Sequence, residues 1–538
     1  MLNQRKGIGA MLVVALAAAA LYAAWRPPGP AAADEPRVLR RGIGAEPESL
    51  DPQRARSEAA LTVLRDLDEG LTAIGADGKP QLAAADRVEV SADGMTYTFR
   101  LRSRARWSNG APVVAADFVT AWRRLVDPKT ASQYAGLLVA VKNAAAIERR
   151  TAPPAALGVN APDAATLVVE LARPTPEFLA IVSHPATFPL DAASLAAHPQ
   201  GFAKPGVMVS NGAFALASWQ LGSRLVAKRN RFYWNDAATR FGRVEYLTTN
   251  DPAAELRAYR AGGLDITSTI PPDAYSWVEK HLPGQLRVAP ELAVYYLGFN
   301  LTRAPFANNP QLRLALSMVI DRRRLVESVT GGGERPAYTF VPDGIDGYTP
   351  PLPAYAHWPM AERIARAREL LRAAHSGQGP LKVELRYNTG ELHDRIAVAV
   401  AAMWKDALGV ETTLHAEEFK ALLQDINRAD ATEAFRASWV GDYNDAYSFL
   451  QVLQTGVGID PPRYSNTGYD DLLTRAGAER DAVRRAALLA QAEKIMLGDQ
   501  PVVPLYFYVA KHLVSPKVRG WRGNVMNVVY DKDLAKVP

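Results

Sequence analysis

Apolar residues recur along this chain with two different periods, and the period changes from one segment to the next. Two alternating runs on either side of Asp93-Gly94 predict a β-hairpin with a primed turn. Their apolar members are Val88, Val90, Tyr97, Phe99 and Leu101. The next segment has helical spacing from Phe118 to Leu125, and Asp127-Pro128 is expected to end that helix.

The same alternation of strand and helix patterns continues in the second half of the chain. One helical face holds Ile364, Ala367, Leu371 and Ala374, and a period-two run follows at Leu381, Val383, Leu385 and Tyr387. Helical spacing returns from Ile396 to Trp404. The aromatic and β-branched run PVVPLYFYV, Pro501 to Val509, predicts a buried strand near the C-terminus. These patterns predict a mixed α/β protein.

The first 33 residues follow neither pattern. Arg5 and Lys6 precede a nearly continuous Leu/Val/Ala run from Met11 to Ala24, and Ala31-Ala32-Ala33 offers an A-x-A cleavage site. This order is typical of a secretory signal peptide over residues 1–33. The alternative is an uncleaved N-terminal membrane anchor, because the segment from Ile8 to Trp25 approaches membrane-spanning length. With either outcome we expect the body of the protein to be exported.

Length and charge narrow the class of protein. A chain of 538 residues has room for two to four domains. Its net charge of +6 falls to +3 without the first 33 residues, so a clustered basic face for nucleic acid is not expected. The absence of cysteine excludes a disulfide framework, thiolate catalysis and Cys-ligated zinc. No later apolar run is long enough to span a bilayer, which predicts a soluble exported protein.

Catalytic and cofactor motifs are missing from the sequence. The eight histidines include no pair at metal-ligand spacing, and there is neither a G-x-S-x-G elbow nor a P-loop. The triplet Gly331-Gly332-Gly333 lacks the Lys-Ser/Thr that completes a phosphate loop, so we interpret it as an ordinary turn. We therefore predict no metal, no cofactor and no enzymatic activity. A secreted hydrolase, assembled from residues distant in sequence, stays open as an alternative.

A more specific pattern begins at Tyr97, where the chain reads YTFRLRSRARWSNGAPVVAADFVTAWRRLVDPKTASQYA to Ala135. Further stretches follow the same family pattern in order along the chain. They are AEPESLDP from Ala45, SNGAF from Ser210, KRNRFYW from Lys228, YRAGGLDI from Tyr259, RAPF from Arg303, YNTGELHDRIAVAVAAMWKDALGV from Tyr387 and SWVGDYND from Ser438. From about Arg37 to the C-terminus the sequence resembles the family five extracellular solute-binding proteins of ABC importers, and among them the oligopeptide-binding members.

The resemblance implies an α/β, periplasmic-binding-protein-like fold (cluster C, type II). Two hinged lobes close over the ligand, and a third, smaller lobe is attached to the first. Lobe I would be discontinuous, lobe II would be the extra domain, and lobe III would complete the cleft. The implied boundaries are 34–60, 191–292 and 509–538 for lobe I, 61–190 for lobe II and 293–508 for lobe III.

The resemblance also implies which residues hold the ligand. Asp442 matches the aspartate that pairs with the α-ammonium of a bound peptide, a charge-assisted contact that fixes the register. Trp439, Val440 and Gly441 lie on the segment whose backbone pairs with an extended peptide as an added strand. Family members often have Cys and Ala where Val440 and Gly441 stand. From the residues alone, the alternative for Asp442 is an exposed loop aspartate or a helix cap next to Asp445.

Recognition of the peptide carboxylate is implied at Arg436, His393 and Arg303. Arg303 replaces a lysine that is common at this position, and a planar guanidinium does not present its charge as an ammonium does. From the residues alone, Arg436 would form a salt bridge between lobes and His393 would start a helix. Four further residues match walls of side-chain pockets, with ordinary packing as the alternative. They are Tyr134, Phe419, Tyr508 and Glu46.

The function implied is that of a periplasmic substrate-binding protein that captures short peptides and delivers them to the membrane permease of an ABC importer. The implied partners are short peptides and permease subunits, with no nucleic acid, and the protein would be a monomer. The same class with another cargo is the first alternative: a dipeptide, a murein peptide, haem or a metal chelate. The family aspartate at Asp442 argues against a purely metal-chelate cargo.

Overall fold

The computed structural model describes residues 37–537 apart from residues 376, 378, 429–431 and 457–460. The expected signal peptide therefore lies outside the described residues. Within the described ranges, no helix is long and apolar enough to cross a membrane. The longer strands form three separate sheets, and two short pairs join Thr72–Ile74 to Pro80–Leu82 and Val518–Arg519 to Ala535–Lys536.

The first sheet has four strands and combines distant parts of the chain. Its order is Val38–Gly42, Arg243–Leu247, Arg224–Arg229 and Phe214–Gln220. The strands Val38–Gly42 and Arg243–Leu247 run parallel, and the other pairs are antiparallel. The core under this sheet includes Leu64, Tyr246 and, from the C-terminal segment, Val514 and Leu534. Burial of these apolar side chains is what holds the C-terminus against the N-terminal strand.

The second sheet contains the predicted hairpin. Its order is Ala85–Val90, Thr96–Leu101, Thr166–Glu170 and Val159–Asp163, all antiparallel. The helix Ala115–Val126 lies in the same core, with Phe118 and Trp122 fully buried, and Asp127 caps it as expected. The predicted hairpin is confirmed, but its primed turn is wrong. Residues 91–95 form a five-residue loop in which Gly94 (φ +74°) is left-handed and Asp93 is not.

The third sheet has six strands and two buried faces. Its order is Arg335–Pro336, Val502–Leu513, Leu286–Phe299, Ala434–Val440, Lys382–Asn388 and Glu411–Glu417. Side chains of the long strand Leu286–Phe299 alternate between two cores, with Tyr295 in one and Tyr296 in the other. Because both faces are covered, the strand Val502–Leu513 is apolar almost without interruption, as its sequence predicts.

Helices cover both faces of the third sheet and flank the other two. The helical patterns predicted around Ile364 and Ile396 are confirmed, as Met360–Ala374 and Glu391–Leu408. The remaining α-helices are Glu58–Leu67, Ala144–Glu148, Phe178–Ile181, Ala192–Ala197, Pro252–Arg260, Tyr275–His281, Pro310–Met318, Arg322–Arg324, Phe419–Asn427, Tyr447–Leu450, Thr467–Ala478 and Ala482–Asp499. The lobe boundaries expected from the sequence stay a prediction.

Candidate ligand-binding cleft

The strand Ala434–Val440 is paired along only part of one edge. Its partner Leu286–Phe299 runs along its whole length, from Phe299 opposite Ala434 to Ala293 opposite Val440. On the other edge, Lys382–Asn388 pairs only with Ala434 and Phe435. Among the described residues, the strand from Arg436 onward therefore has one unpaired edge. Unpaired backbone donors and acceptors of this kind are a template for an added strand.

Burial changes along this strand in the same direction. Ala434, Phe435 and Arg436 are buried, whereas Ser438 and Val440 are exposed. The side chain of Trp439 points to the opposite face, where it packs against the core and its Nε1 donates to the carbonyl of Ser448 (2.9 Å). Trp439 therefore contributes to the core as well as to the strand. The strand leaves the interior and enters the cleft as it approaches Gly441.

Asp442 follows this strand, and its carboxylate has no partner in the part of the chain that the structure describes. Its backbone N–H donates to the Ser448 hydroxyl (3.0 Å), which fixes the loop, but no described residue donates to its carboxylate. Burial alone raises the pKa of Asp442 to about 6. It is neither an exposed loop residue nor a helix cap. A half-buried carboxylate without a partner is costly unless something outside the protein supplies the opposite charge.

A cavity of about 270 Å³ opens in front of Asp442. Helix Glu58–Leu67 forms one wall, and Ser57 caps that helix by accepting from the N–H of Ala60 (3.2 Å). The described lining residues are Arg56, Glu58, Leu61, Arg65, Tyr134, His184, Glu291, Leu292, Val440, Gly441, Asp442, Val525, Met526 and Asn527. Segments associated with all three sheets therefore meet at this cavity.

A larger cavity of about 560 Å³ adjoins Asp442 as well. Asp442 and Tyr134 line both cavities. Trp439 and Tyr443 form part of its wall. The ring of Tyr134 lies 4.3 Å from that of His184, whose pKa burial lowers to about 3, with Arg65 contributing. The imidazole is therefore neutral, and it adds no positive charge beside Asp442.

Gly441 fits closely between its neighbours. Its N–H donates to the carbonyl of Leu292 (2.8 Å), so the ladder with the long strand extends past Val440. A Cβ at this position would lie 2.9 Å from Cε2 of Phe449. The absence of a side chain lets the chain turn into the Asp442 loop against the core.

Three of the predicted carboxylate-binding and wall residues meet further down the strand, around Tyr295. Arg436 lies 4.6 Å over the Tyr295 ring and donates to Asn388 Oδ1 (2.9 Å) and to the Tyr508 hydroxyl (3.5 Å). The guanidinium contacts no carboxylate among the described residues, and its Nε has no hydrogen-bond partner there. The salt bridge between lobes, the alternative for Arg436, is not what the structure shows.

His393 joins this group from the first turn of helix Glu391–Leu408. Its Nδ1 lies 3.3 Å from the Tyr295 hydroxyl, and the two rings are stacked. Burial, and secondarily the charge of Arg436, lower the pKa of His393 to about 4, although Asp394 acts in the opposite direction. At neutral pH the positive charge of this group therefore resides on Arg436.

Three other predicted residues lie elsewhere, and none of them lines either cavity in the described part of the chain. Arg303 lies in the turn after the long strand, where its carbonyl accepts from Phe306 and Ala307. Phe419 starts its helix with half of its surface exposed. Glu46 accepts hydrogen bonds from Trp219 Nε1 and from the N–H of Gly222 (2.9 Å), so its carboxylate supports the first sheet. Their ligand-binding roles stay predictions.

The structure also places residues here that the sequence did not single out. Asn388 and Tyr295 hold Arg436, and Glu291 lines the cavity of Asp442. The sequence indicates only that Asn388, Tyr295 and Glu291 lie on strands. It does not indicate which strands are neighbours in the sheet. No group of three or more His, Asp or Glu side chains that could hold a metal occurs in the described ranges.

The chain is similar to several known proteins. The model of the bacterial extracellular solute-binding proteins, family 5, matches residues 79–460. The periplasmic murein peptide-binding protein MppA of Escherichia coli is 39% identical over 517 residues, 95% of each chain. The probable deoxycholate-binding periplasmic protein YgiS of Escherichia coli is 38% identical over 97% of this chain and 98% of its own. Haemophilus influenzae OppA, solved in complex with RPPGFSPFR, superposes with a TM-score of 0.80 at 35% identity, covering 94% of this chain and 100% of that one.

Proposed function

The chain belongs to the bacterial extracellular solute-binding proteins of family 5, and from that premise we propose that it captures short peptides and delivers them to the permease of an ABC importer. The observation that carries the proposal is the half-open strand Ala434–Val440 ending at the unpartnered carboxylate of Asp442. Relatives named for murein-peptide and oligopeptide binding support the peptide cargo.

Asp442 receives the α-ammonium of the peptide. The carboxylate is desolvated before the ligand arrives, so an ammonium placed against it forms a strong charge-assisted hydrogen bond. Ligand binding then brings the pKa of Asp442 back toward its ordinary value, because the ammonium stabilises the ionised form. This contact fixes where the first residue of the peptide lies.

The unpaired edge from Arg436 to Val440 binds the peptide backbone. Main-chain hydrogen bonds recognise any sequence, because every residue except proline offers the same donor and acceptor. The exposed side chains of Ser438 and Val440 leave room beside the strand for ligand side chains of different size. Bridging waters in the adjoining cavities would tolerate this variation.

Arg436 receives the C-terminal carboxylate. Asp442 lies six positions further along the chain, which corresponds to roughly 20 Å at about 3.3 Å per residue if the chain is extended. An extended peptide of about four or five residues spans this distance once the reach of the Arg436 side chain is included. The neutral partners Asn388 and Tyr508 orient the guanidinium without neutralising it.

The protein acts in the periplasm as a binding protein and not as an enzyme. Its relatives MppA and OppA are named as periplasmic, and the family is one of solute-binding proteins. Peptide binding favours a closed arrangement that permease subunits then recognise, a population shift between two states. We further propose that the N-terminal segment is a cleaved signal peptide, with an uncleaved anchor as the alternative.

Mass spectrometry of the natively purified protein tests the cargo. Short peptides of varied sequence released on denaturation would support the proposal, whereas a single non-peptide species, such as a bile acid, would overturn the peptide assignment. Calorimetric titration with alanine tri-, tetra- and pentapeptides then tests the site. Asp442→Asn should weaken binding strongly, while the matched control Asp273→Asn, an exposed residue outside both cavities, should not. Equal affinities of the two variants would contradict the role of Asp442.

A further inference from the structure

A second carboxylate, that of Glu291, lines the same cavity as Asp442. In the antiparallel ladder Ala293 is opposite Val440, and the N–H of Gly441 donates to the carbonyl of Leu292 (2.8 Å). The N–H of Leu292 donates to the carbonyl of Val525 (2.8 Å), so the regular pairing of the long strand with Ala434–Val440 ends before Glu291. The pairing of the long strand with Val502–Leu513 is irregular between Pro290 and Val294, so Glu291 sits where the strand departs from regular pairing. The cavity that Glu291 and Asp442 line has a volume of about 270 Å³.

Glu291 has no partner among the described residues. No hydrogen bond or ion pair reaches its carboxylate, and the residue is only partly exposed. Burial, and secondarily the negative charge of Glu58, raise the pKa of Glu291 to about 7, although Lys511 acts in the opposite direction. Lys511 is bound elsewhere, since its Nζ lies 2.6 Å from Glu334 Oε1 and 2.6 Å from the Gly332 carbonyl.

The other charged groups at the cavity do not satisfy Glu291. Arg65 donates to Glu58 (2.8 Å), so these two charges neutralise each other on their own helix. Arg56 lines the cavity but is exposed, and its guanidinium forms no ion pair with Glu291 or Asp442 in the described part of the chain. His184 is neutral at ordinary pH, because its pKa is about 3. Glu291 and Asp442 are therefore the two carboxylates of this cavity that no cation of the described chain balances.

We propose that Glu291 binds the side-chain cation of the first residue of the peptide, so that the protein selects peptides beginning with lysine or another diamino acid. This inference rests on the proposed function, because it takes the α-ammonium to be at Asp442. The α- and ε-nitrogens of lysine are joined by six single bonds of about 1.5 Å and lie up to about 7 Å apart, so one lysine can reach two carboxylates that line the same cavity.

Calorimetric titration with three tetrapeptides tests the inference: Lys-Ala-Ala-Ala, its Nε-acetyl-lysine analogue and norleucine-Ala-Ala-Ala. The analogues keep the length of the side chain and remove its charge. We expect the wild-type protein to bind the lysine peptide about tenfold more tightly than either analogue, which corresponds to about 1.4 kcal/mol for a charge-assisted hydrogen bond. Glu291→Gln should abolish this preference, so that the three peptides bind the variant with equal affinity.

A proton measurement separates a direct contact from a structural role. With a pKa of about 7, Glu291 is about half protonated at pH 7, so a bound cation should expel about half a proton more than a neutral side chain. Titrations at pH 7 in Tris and in phosphate, whose ionisation enthalpies differ, count these protons. The extra release should occur with the lysine peptide and should disappear in Glu291→Gln.

The outcomes distinguish this inference from the proposed function. Equal affinity of the wild-type protein for the lysine and norleucine peptides would overturn the role of Glu291 while peptide binding stands. No binding of any of the three would overturn both. A preference that persists in Glu291→Gln would assign the selectivity to another group and contradict the inference. If that variant does not fold, the three-peptide comparison on the wild-type protein still decides.

Discussion

Two aspartates in one loop have opposite surroundings. The carboxylate of Asp442 faces a cavity and has no partner among the described residues. Asp445, three residues later, accepts from Arg485 (2.5 Å) and from the N–H of Tyr447 (2.7 Å). Arg485 also binds Glu177 (3.0 Å), whose side chain is 2% exposed. We refer to Arg485, Asp445 and Glu177 as the Arg485 cluster.

This comparison separates charges that hold the protein together from charges that are kept for a ligand. In the Arg485 cluster every carboxylate has a cation, and the cluster joins Glu177, which follows the second sheet, to the helices against the third. At Asp442 the protein accepts the cost of desolvation and leaves the charge unbalanced. An unbalanced carboxylate at the end of a half-paired strand is a feature that packing alone does not explain.

Breaking the Arg485 cluster should have the largest effect. Arg485→Met leaves two buried carboxylates without their cation, and we expect the free energy of unfolding to fall by about 3–5 kcal/mol. Urea denaturation followed by circular dichroism measures this. Arg484→Met is the matched control, because Arg484 is exposed and pairs with Glu479 on the surface; it should leave the free energy of unfolding nearly unchanged. Equal losses would mean that the cluster is not structural.

Asp442→Asn should act in opposite directions on stability and on binding. The pKa of Asp442 is raised in the folded protein from its ordinary value of 3.8. Above pH 3.8, ionisation of this carboxyl group therefore lowers the free energy of unfolding. Removing the charge should stabilise the ligand-free protein by about 1–3 kcal/mol at pH 7. Peptide affinity should fall by about 2–3 kcal/mol, or 30- to 150-fold, because the ammonium loses its counter-charge. Asp445→Asn should instead lower stability, as its partner Arg485 is buried. If urea denaturation showed that both variants raise, or both lower, the free energy of unfolding, the contrast between Asp442 and Asp445 would be contradicted.

Acidification should weaken peptide binding through Asp442. Its pKa in the free protein is about 6, and the bound ammonium requires the ionised form. Between pH 7 and pH 5 the ionised fraction falls from about nine-tenths to about one-tenth, so the affinity should fall about tenfold. His393 does not add to this change, since its pKa is about 4. Titration calorimetry with a peptide of neutral side chains, such as tetra-alanine, measures it, and Asp442→Asn should remove most of the dependence.

Periodicity predicted the elements of the fold because their burial follows their period. The strand Lys382–Asn388 buries every second side chain, and the alternation is visible without knowing its neighbours. The primed turn at Asp93-Gly94 failed for a local reason. Asp93 accepts from the N–H of Met95 (3.0 Å), and this Asx bond stabilises a longer loop in which Asp93 avoids a left-handed conformation.

The candidate site was predictable only where a motif marked it. The segment around Asp442 carried the family resemblance, and the structure places that residue at a cavity. Glu291 carries no motif, and its place at the cavity of Asp442 depends on the pairing of strands more than a hundred residues apart. Glu46 matched the family pattern by residue type, but the sequence did not reveal that Trp219 and Gly222 donate hydrogen bonds to its carboxylate. Local sequence specifies local periods, whereas charge balance is decided by neighbours that only the fold brings together.

Val440→Ala should have the smallest effect, because it shortens a side chain and leaves the backbone edge of the strand intact. The Val440 side chain is 58% exposed, although the residue lies on the unpaired edge beside Asp442. If the backbone of this strand binds the peptide, shortening the side chain should change affinity by less than about threefold for peptides of different sequence. Calorimetry with tetra-alanine and with a tetrapeptide carrying aromatic side chains measures this. A loss above about tenfold for one peptide alone would show that side-chain packing, and not the backbone edge, selects the ligand. A uniform small effect would leave charge at Asp442 and an unpaired edge as the two features that make this strand a binding surface.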